Sequence, residues 1–303
     1  MTNHRTTARG ILFLLATTLF LVGAGTASAA PAAATGASVS VPQLVFPVLG
    51  AASFGDDYGD PRGQGSHEGI DIMAPRKAPV LAAEAGTVKF WTTSSRAGCM
   101  LYLYGRSGVT YLYIHLNNDL GNGNDNRGAC VPEVAYAKGL TSGAKVVAGQ
   151  VIGYNGDSGD ANGIDPHLHF EVRPGGAATN PYPHLKQARR LLFAAAQGST
   201  FTLALTGRVA GAAGAQLALQ LDQVRQWPGG RKVRQSGQKV AVVVPDTATI
   251  EAGGVPTVAA AGTLELLGRG STVTVWTEPA KVTLAAQTGA RGALAAERVV
   301  VKR

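Results

Sequence analysis

The chain has 303 residues and a formal net charge of +8; 45% of the residues are hydrophobic and 15% are charged. This apolar content is ample for one large core or two modest ones, so disorder as the default state is excluded. Forty glycines and fifteen prolines, with only 6% aromatic residues, indicate many turns between short strands and argue against an all-helical bundle.

Residues 1–29 have the pattern of a secretory signal peptide. Arg5 and Arg9 precede an apolar run at 11–22, and the small residues 27–29 provide a cleavage site. A transmembrane helix is the alternative, but two threonines and a glycine interrupt the run within about 15 residues, and a bilayer needs ~20. No later stretch is long and apolar enough to span a membrane. We therefore expect a secreted protein without a stable membrane anchor.

The rest of the chain divides by composition. Residues 30–40 are mostly small and carry no charge, which predicts a linker. From 41 to 190, short apolar runs alternate with Gly, Pro, Asn and Asp, as is typical of an antiparallel β domain with long loops. Residues 191–200 are predicted to be a linker or a short helix, because 185–194 lacks glycine and proline. Residues 201–303 alternate like strands and predict a second, smaller β domain.

The two cysteines, Cys99 and Cys130, both lie in the part of the chain that is expected to be exported. An even pair in an oxidising compartment predicts a disulfide. The alternative is two buried free thiols. A bridge would close a loop of about 30 residues and stabilise the fold by ~3 kcal/mol or somewhat more in the chain-entropy model.

Three short clusters contain residues suited to bind a metal ion. They are His67-Glu68-Gly69-Ile70-Asp71, Tyr113-Ile114-His115-Leu116 and His167-Leu168-His169-Phe170-Glu171. Imidazole nitrogen and carboxylate oxygen are ligands that zinc prefers, and a catalytic zinc takes three protein ligands while leaving a fourth position for water.

Strand geometry limits which of these residues can meet. His167 and His169 can enter one site together, because residues i and i+2 of a strand share a face. His67 and Asp71 would be ~13 Å apart in an extended strand, so they share a metal only if the chain bends at Gly69. A lone His-x-His pair is more often half-buried and structural, but two further clusters in the same domain favour a metal site.

Six motifs occur in order between Phe46 and Pro174. They are Phe46-Pro47-Val48, His67-x-Gly69-x-Asp71, Pro79-Val80-x-Ala82-x-x-x-Gly86-x-Val88, Tyr113-x-His115-Leu116, Gly149-Gln150-x-Ile152-Gly153 and His167-Leu168-His169-Phe170-Glu171. In this order they resemble the lysostaphin-type (LytM-like) zinc endopeptidases, which cut peptide cross-links of bacterial peptidoglycan. The resemblance implies that residues 41–190 form a compact antiparallel β domain with its site in a groove walled by loops.

The resemblance also implies roles for individual residues. The implied Zn²⁺ ligands are His67, Asp71 and His169. The two histidines implied to stand beside the attacking water are His115 and His167. One of these two would take a proton from water and the other would stabilise the oxyanion, and the sequence leaves open which does which. Glu171 is either a partner of His169 or an ordinary strand carboxylate, and His184 lies outside the clusters.

The chain departs from the family pattern at two places. Lys77-Ala78 stands where relatives usually have Gly-Thr, and the segment 117–143 is long and rich in Asn and Gly. Neither departure touches an implied ligand. Because loops around such a site set specificity, both affect the expected shape of the groove and the choice of substrate.

The C-terminal part differs from the rest in charge. Residues 191–303 carry 12 Lys and Arg against 6 Asp and Glu, whereas 30–190 carry 13 of each. Its strand pattern, notably Gly268–Trp276, resembles small OB-like β-barrels. We expect no nucleic-acid partner, because of export and the lack of interleaved aromatic residues. Two roles remain for this domain: it binds anionic cell-wall polymers, with Arg231-Lys232-x-Arg234 as its densest basic cluster, or it only covers or orients the catalytic groove.

The fold predicted from the sequence is therefore mainly β, with a lysostaphin-type peptidase domain followed by a smaller OB-like barrel. The expected function is that of a monomeric, secreted, cell-wall-associated zinc metalloendopeptidase acting on peptidoglycan peptides. Two alternatives remain: a catalytically inactive wall-binding activator of another hydrolase, and a secreted protease of glycine-rich proteins. The first would be expected to lack ligands, and the second differs only in the loops of the groove.

Overall fold

The computed structural model describes residues 39–63, 65–235, 237–259, 264 and 267–302. The predicted signal peptide at 1–29 lies outside the described residues, as does the predicted linker up to residue 38. Ser38–Arg303 forms one compact unit. In the part of the chain that is described, no helix has the length and apolar character needed to cross a bilayer.

The N-terminal half of this unit is built on a six-stranded antiparallel sheet in the order β3-β10-β7-β6-β5-β8, with the pairs β1-β2 and β4-β9 beside it. The strands are β1 (Pro61–Arg62), β2 (Gly65–Ser66), β3 (Ile70–Met73), β4 (Pro79–Leu81), β5 (Gly86–Trp91), β6 (Cys99–Gly105), β7 (Val109–Leu116), β8 (Lys145–Val146), β9 (Val151–Tyr154) and β10 (His167–Pro174). This confirms the predicted antiparallel β architecture.

The two faces of β10 explain why the sheet presents histidines on one side. Leu168, Phe170 and Val172 are fully buried in the core, together with apolar side chains of β6 and β7. His167 and His169 alternate with them and line a groove on the opposite face. Burial of the apolar set fixes the register, because a shift of one residue would exchange the two faces.

The segment that follows the first half forms a shorter helix than its composition predicts. Helix α1 spans Tyr182–Gln187, and residues 191–200 contain no helix, so the short-helix alternative for that segment is wrong. Beyond α1 the chain is extended: the N–H of Arg189 donates to the carbonyl of Leu44, and the N–H of Phe46 donates to the carbonyl of Arg189. Three consecutive apolar residues at 191–193 are all buried, which one face of a helix could not achieve.

The C-terminal half contains a nine-stranded sheet that follows the path β13-β12-β11-β17-β19-β15-β16, with β14 on β12 and β18 on β11. Its elements are β11 (Thr200–Ala213), β12 (Gln216–Trp227), β13 (Arg231–Arg234), β14 (Lys239–Val243), β15 (Thr249–Ala252), β16 (Val255–Val258), β17 (Thr272–Thr277), β18 (Ala280–Lys281), α2 (Leu284–Thr288) and β19 (Ala296–Val301). Among the described strands no pairing closes this sheet into a barrel, and β15 runs parallel to β19, so the OB-like form is not confirmed.

The two halves share an apolar contact. Val45, Leu49 and Leu81 of the first half pack with Leu191 and with Val233 of β13. The neighbouring backbone is also joined, because the N–H of residue 51 donates to the carbonyl of residue 234 at 2.9 Å. The C-terminal sheet is therefore held directly against the first half within the compact unit.

The structure contains the predicted Cys99–Cys130 disulfide. It joins the first residue of β6 to the long loop after β7, so it braces the segment that follows His115.

We predict that Cys99→Ser with Cys130→Ser lowers the free energy of unfolding by about 3 kcal/mol, because the unfolded chain regains the freedom of a loop of about 30 residues. Urea unfolding of the variant and parent measures this difference. Peptide mapping without reduction provides the direct check, and two free thiols in protein recovered from the growth medium would contradict the assignment.

Candidate functional site

Three side chains converge where the chain bends into β3. The Nε2 atom of His67 lies 3.1 Å from Oδ1 of Asp71 and 2.8 Å from Nδ1 of His169, and the last two atoms are 3.1 Å apart. Asp71 and His169 are directly paired residues on β3 and β10. His67 reaches them from the preceding turn, so the bend expected from the sequence is present.

Gly69 permits this close approach. A Cβ at Gly69 would lie 2.7 Å from Nε2 of His169 and 2.7 Å from the carbonyl oxygen of Phe170. Any larger residue would push β10 away from the turn that carries His67. The glycine in the His-x-Gly-x-Asp motif is thus required by the geometry of the site itself.

The outer atoms of the two imidazoles fix which nitrogens face inward. Nδ1 of His67 donates to the carbonyl of Asp57 at 2.8 Å, and Nε2 of His169 donates to Oε1 of Glu171 at 3.1 Å. The inward nitrogens therefore carry lone pairs in the neutral rings. They meet a carboxylate oxygen of Asp71, so the centre of the cluster consists of three acceptors that require a cation between them.

The electrostatics of the cluster agree with this requirement. Burial opposes ionisation of Asp71, but its close contacts with the His169 and His67 rings hold its pKa far below the usual range. Burial also opposes protonation of His169, yet its hydrogen bonds to Asp71 and Glu171 raise its pKa to about 9. The site thus attracts a positive charge even when that charge is only a proton.

The donor set fits zinc. Two imidazole nitrogens and one carboxylate oxygen form a known catalytic ligand set, and ligand atoms 2.0–2.1 Å from a tetrahedral zinc are ~3.3 Å apart. The separations of 2.8–3.1 Å between the three inward atoms are close to that value. His67, Asp71 and His169 form a group that could hold a metal ion.

Two other histidines line the same groove without joining the cluster. Nδ1 of His115 donates to the carbonyl of Ser158 at 2.8 Å, and Nδ1 of His167 donates to the carbonyl of Asp165 at 2.9 Å. Because a carbonyl only accepts, Nε2 of each neutral ring is left as a proton acceptor. The two ring centroids are 5.1 Å apart, and Nε2 of His167 lies 3.9 Å from Oδ1 of Asp71.

His115 owes its position to an unusual backbone conformation. Its φ of 61° lies in the left-handed region, which is uncommon for residues other than glycine. This interrupts the alternation of β7, so that Ile114 and His115 both line the groove although they are consecutive. Burial, with a smaller effect of His167 and His169, lowers the pKa of His115 to about 4, so the ring is neutral at neutral pH.

The groove has a volume of about 680 Å³ and contains all five predicted site residues. Sequence reasoning missed three polar residues around it. Arg62 on β1 donates to Oδ2 of Asp71 at 2.8 Å, Asp57 accepts from His67, and Asp160 lies 3.8 Å from Nε2 of His115. All three reach the site from short or irregular segments, where spacing carries no periodic signal.

The structure places two residues whose roles the sequence left open, Glu171 and His184. Glu171 is buried, accepts from His169, and is itself held by Nε of Arg173, so it contacts an implied ligand directly. His184 lies on α1 and is absent from the lining of the groove.

The two departures from the family pattern, Lys77-Ala78 and the long segment 117–143, contact each other, and these contacts anchor the long loop. Lys77 has a φ of 61°, the region that a glycine adopts easily, and its Nζ donates to the carbonyl of Leu120 at 3.0 Å. Next to it, Arg76 forms ion pairs with two fully buried carboxylates, Asp119 of the long loop and Asp157. Asp157 precedes Ser158, whose carbonyl orients His115, so this anchor connects the long loop to the groove.

Comparison with known proteins identifies the first half of the chain. The description "Peptidase family M23" matches residues 65–125 and 133–181. The chain is 33% identical over 135 residues to the DD-carboxypeptidase/endopeptidase Mpg of Neisseria meningitidis serogroup B, covering 43% of this chain and 26% of that protein. It is 30% identical over 157 residues to the L-Ala–D-Glu endopeptidase of Bacillus subtilis, covering 48% and 43%.

Among solved structures, the catalytic domain of lysostaphin from Staphylococcus simulans is 28% identical, with 45% of this chain and 92% of that chain covered and a TM-score of 0.36. The matched residues, just over a third of the chain, support assignment of this half to the LytM-type peptidases of family M23. The chain spans about a quarter of the Neisseria relative and less than half of the Bacillus relative. The matched residues end before the C-terminal sheet.

We predict that the protein binds one zinc ion per chain and that His169→Ala abolishes this binding, because the variant keeps only one imidazole and one carboxylate. Elemental analysis after dialysis measures the stoichiometry. His184→Ala serves as the matched control and should retain zinc. Stoichiometric zinc in His169→Ala would show that the ligands are assigned incorrectly.

Proposed function

We propose that the protein is a zinc metalloendopeptidase that hydrolyses peptide cross-links of bacterial peptidoglycan. The observation that carries this proposal is the convergence of three acceptor atoms that lie 2.8–3.1 Å apart. The same groove contains two further histidines whose Nδ1 atoms donate to carbonyls, so that their Nε2 atoms are available to accept a proton. The match of residues 65–125 and 133–181 to peptidase family M23 supports the proposal.

The chain's own residues supply most of the arrangement for hydrolysis. His67, Asp71 and His169 would hold the zinc ion, and Asp57 and Glu171 orient the two imidazole ligands from outside. When bound, zinc would act as a Lewis acid that polarises the peptide carbonyl and lowers the pKa of water to about 7.

His115 and His167 then carry out the proton transfers. Each ring is fixed through Nδ1, so Nε2 can accept a proton from the attacking water and return it to the leaving amine. Once protonated, either ring can also donate to the oxyanion. The two rings are neighbours, with centroids 5.1 Å apart and an angle of 61° between their planes, which allows one to act as base while the other stabilises charge.

The proposed substrate class rests on the relatives. One is named for cleavage at DD bonds and the other for cleavage between L-Ala and D-Glu. Peptides with D-amino acids are characteristic of bacterial peptidoglycan. The presence and arrangement of all five site residues disfavour an inactive activator, which needs no metal ligands.

The proposal also includes export and retention at the cell wall. The signal-like pattern at 1–29 supports export, and so does the Cys99–Cys130 disulfide, because such bonds persist mainly in oxidising compartments. The excess of basic residues in 191–303 supports binding of this part to anionic wall polymers.

The function is tested by comparing the release of new amino groups from purified sacculi and from soluble proteins, including a glycine-rich protein. The proposal predicts release from sacculi that stops with a chelator and returns with zinc. Release only from the glycine-rich protein would favour the alternative protease. No release from any zinc-loaded sample would contradict an enzymatic role.

We predict that His115→Ala and His167→Ala each keep one zinc per chain but lose at least about 100-fold in rate, the usual scale for a missing acid–base or oxyanion group. Elemental analysis and initial rates measured on the same preparations test both halves of the prediction. His184→Ala is again the control. Loss of zinc in either variant would make that histidine a ligand instead.

A further inference from the structure

The solvent face of the C-terminal sheet, here called the outer face, is rich in cations. On β11, Leu203 and Leu205 point into the core while Thr202, Ala204 and Thr206 alternate with them. The strand register aligns one row across five strands, consisting of Lys232, Arg225, Ala204, Trp276 and Arg298. Residues on this row share one face, because paired residues of a sheet point to the same side.

Two parallel rows extend the outer face. The second row is Arg234, Gln223, Thr206, Thr274 and Val300, and it continues to Glu251 on β15. The third is formed by Lys239, Gln220, Arg208 and Thr272, with Lys302 beside Thr272. The seven cations of the outer face are Arg208, Arg225, Lys232, Arg234, Lys239, Arg298 and Lys302. Within the described residues, none of the seven has a carboxylate within 4.0 Å.

A stack of aromatic and guanidinium groups fixes two of these cations. The guanidinium of Arg225 lies 4.9 Å from the ring centre of Trp227, and that of Arg298 lies 5.4 Å from the ring centre of Trp276. The two indoles stack on each other at 5.1 Å. They cover Ala204, which is only 6% exposed. Guanidiniums held in this way lose little freedom when they bind an anion.

The spacing of the stacked cations indicates an extended partner. Arg225 is on β12 and Arg298 is on β19, three strand positions away, which corresponds to ~14 Å. A single small anion cannot contact both. A polymer with repeated negative charges can, and it would meet further cations on the neighbouring rows.

The polar side chains between the cations indicate which kind of anionic polymer fits the outer face. Hydroxyls of Thr206 and Thr274, 3.1 Å apart, and the amide of Gln223 occupy the centre of the face, where they can pair with hydroxyl groups of a ligand. Each indole packs against the other indole and a guanidinium, so neither ring is an open platform for a nucleic-acid base. The face therefore suits a hydroxyl-rich polyanion better than a nucleic acid.

We propose that the outer face of the C-terminal sheet binds an anionic polysaccharide of the bacterial cell wall. The inference rests on the proposed function, since export and wall hydrolysis bring the enzyme to this polymer. Lys232 and Arg234, from the densest basic cluster of the sequence, belong to the edge of this surface, while Arg231 pairs with the inward-facing Gln226. A cavity of about 520 Å³, lined by Arg234 and Lys302 and by one carboxylate, Asp222, extends the surface towards the first half.

The test is cosedimentation of the purified protein with cell walls in the presence of a chelator, so that the result does not depend on hydrolysis. Arg225→Gln with Arg298→Gln should weaken binding by roughly tenfold or more, because two charged contacts are lost. Arg106→Gln with Arg291→Gln removes the same charge from exposed positions elsewhere and should leave binding unchanged. Arg298→Gln alone, at an exposed side chain, should show an intermediate loss even if the double variant folds poorly.

Further arms of the experiment identify the ligand. Binding should weaken as salt screens the exposed charges, and walls stripped of their anionic polysaccharide should no longer sediment the protein. Equal loss in the face and control variants would overturn the proposal. So would full binding to stripped walls, or displacement by single-stranded DNA at lower charge concentration than by the isolated polysaccharide.

Discussion

The active groove depends on the pairing of β3 with β10. This pairing sets Asp71 directly opposite His169, so two inward-facing atoms are brought to 3.1 Å by backbone hydrogen bonds alone. The buried apolar residues of β10 hold the register, and Gly69 lets the turn before β3 bring His67 to the same point. The residues that fix the register of these strands and the residues that build the site therefore lie on the same two strands and the turn before them.

A second layer of contacts converts this register into a cation site. Asp57, Glu171 and Arg62 each hold the outer side of one member of the cluster, which orients lone pairs towards its centre. Three acceptors so close together repel one another unless a cation lies between them. His115 and His167 are also oriented by a backbone carbonyl on Nδ1, which leaves their Nε2 atoms as proton acceptors in the groove.

The sequence singled out five residues that the structure brings into one groove, because their chemistry is concentrated in short motifs and because strand periodicity is simple. It could not predict Arg62 or Asp160, since their contacts depend on where irregular segments fold back. The prediction of a short helix at 191–200 was wrong. Residues 44–46 pair with the extended chain near Arg189, and local helix propensity carries no information about such a long-range contact. The sequence also could not predict whether the C-terminal sheet closes into a barrel, because the alternation of polar and apolar residues does not specify which edge strands pair.

The outer face of the C-terminal sheet could not be predicted from the sequence either. Its seven cations come from β11 to β14, which follow one another along the chain, and from β19 and the residue after it, so only the sheet register shows that they share one surface. In the sequence, the cluster near Arg231 was the densest basic feature. In the structure, the stack of Arg225, Trp227, Trp276 and Arg298 is more ordered, because the indoles fix the guanidiniums.

X-ray absorption spectroscopy of the zinc-loaded protein measures whether His67, Asp71 and His169 bind the metal ion together. We expect nitrogen and oxygen ligands at about 2.0–2.1 Å with scattering from two imidazole rings, and loss of one ring's contribution in His67→Ala. Sulfur ligands, a six-oxygen shell, or an unchanged spectrum in His67→Ala would rule out this set of ligands.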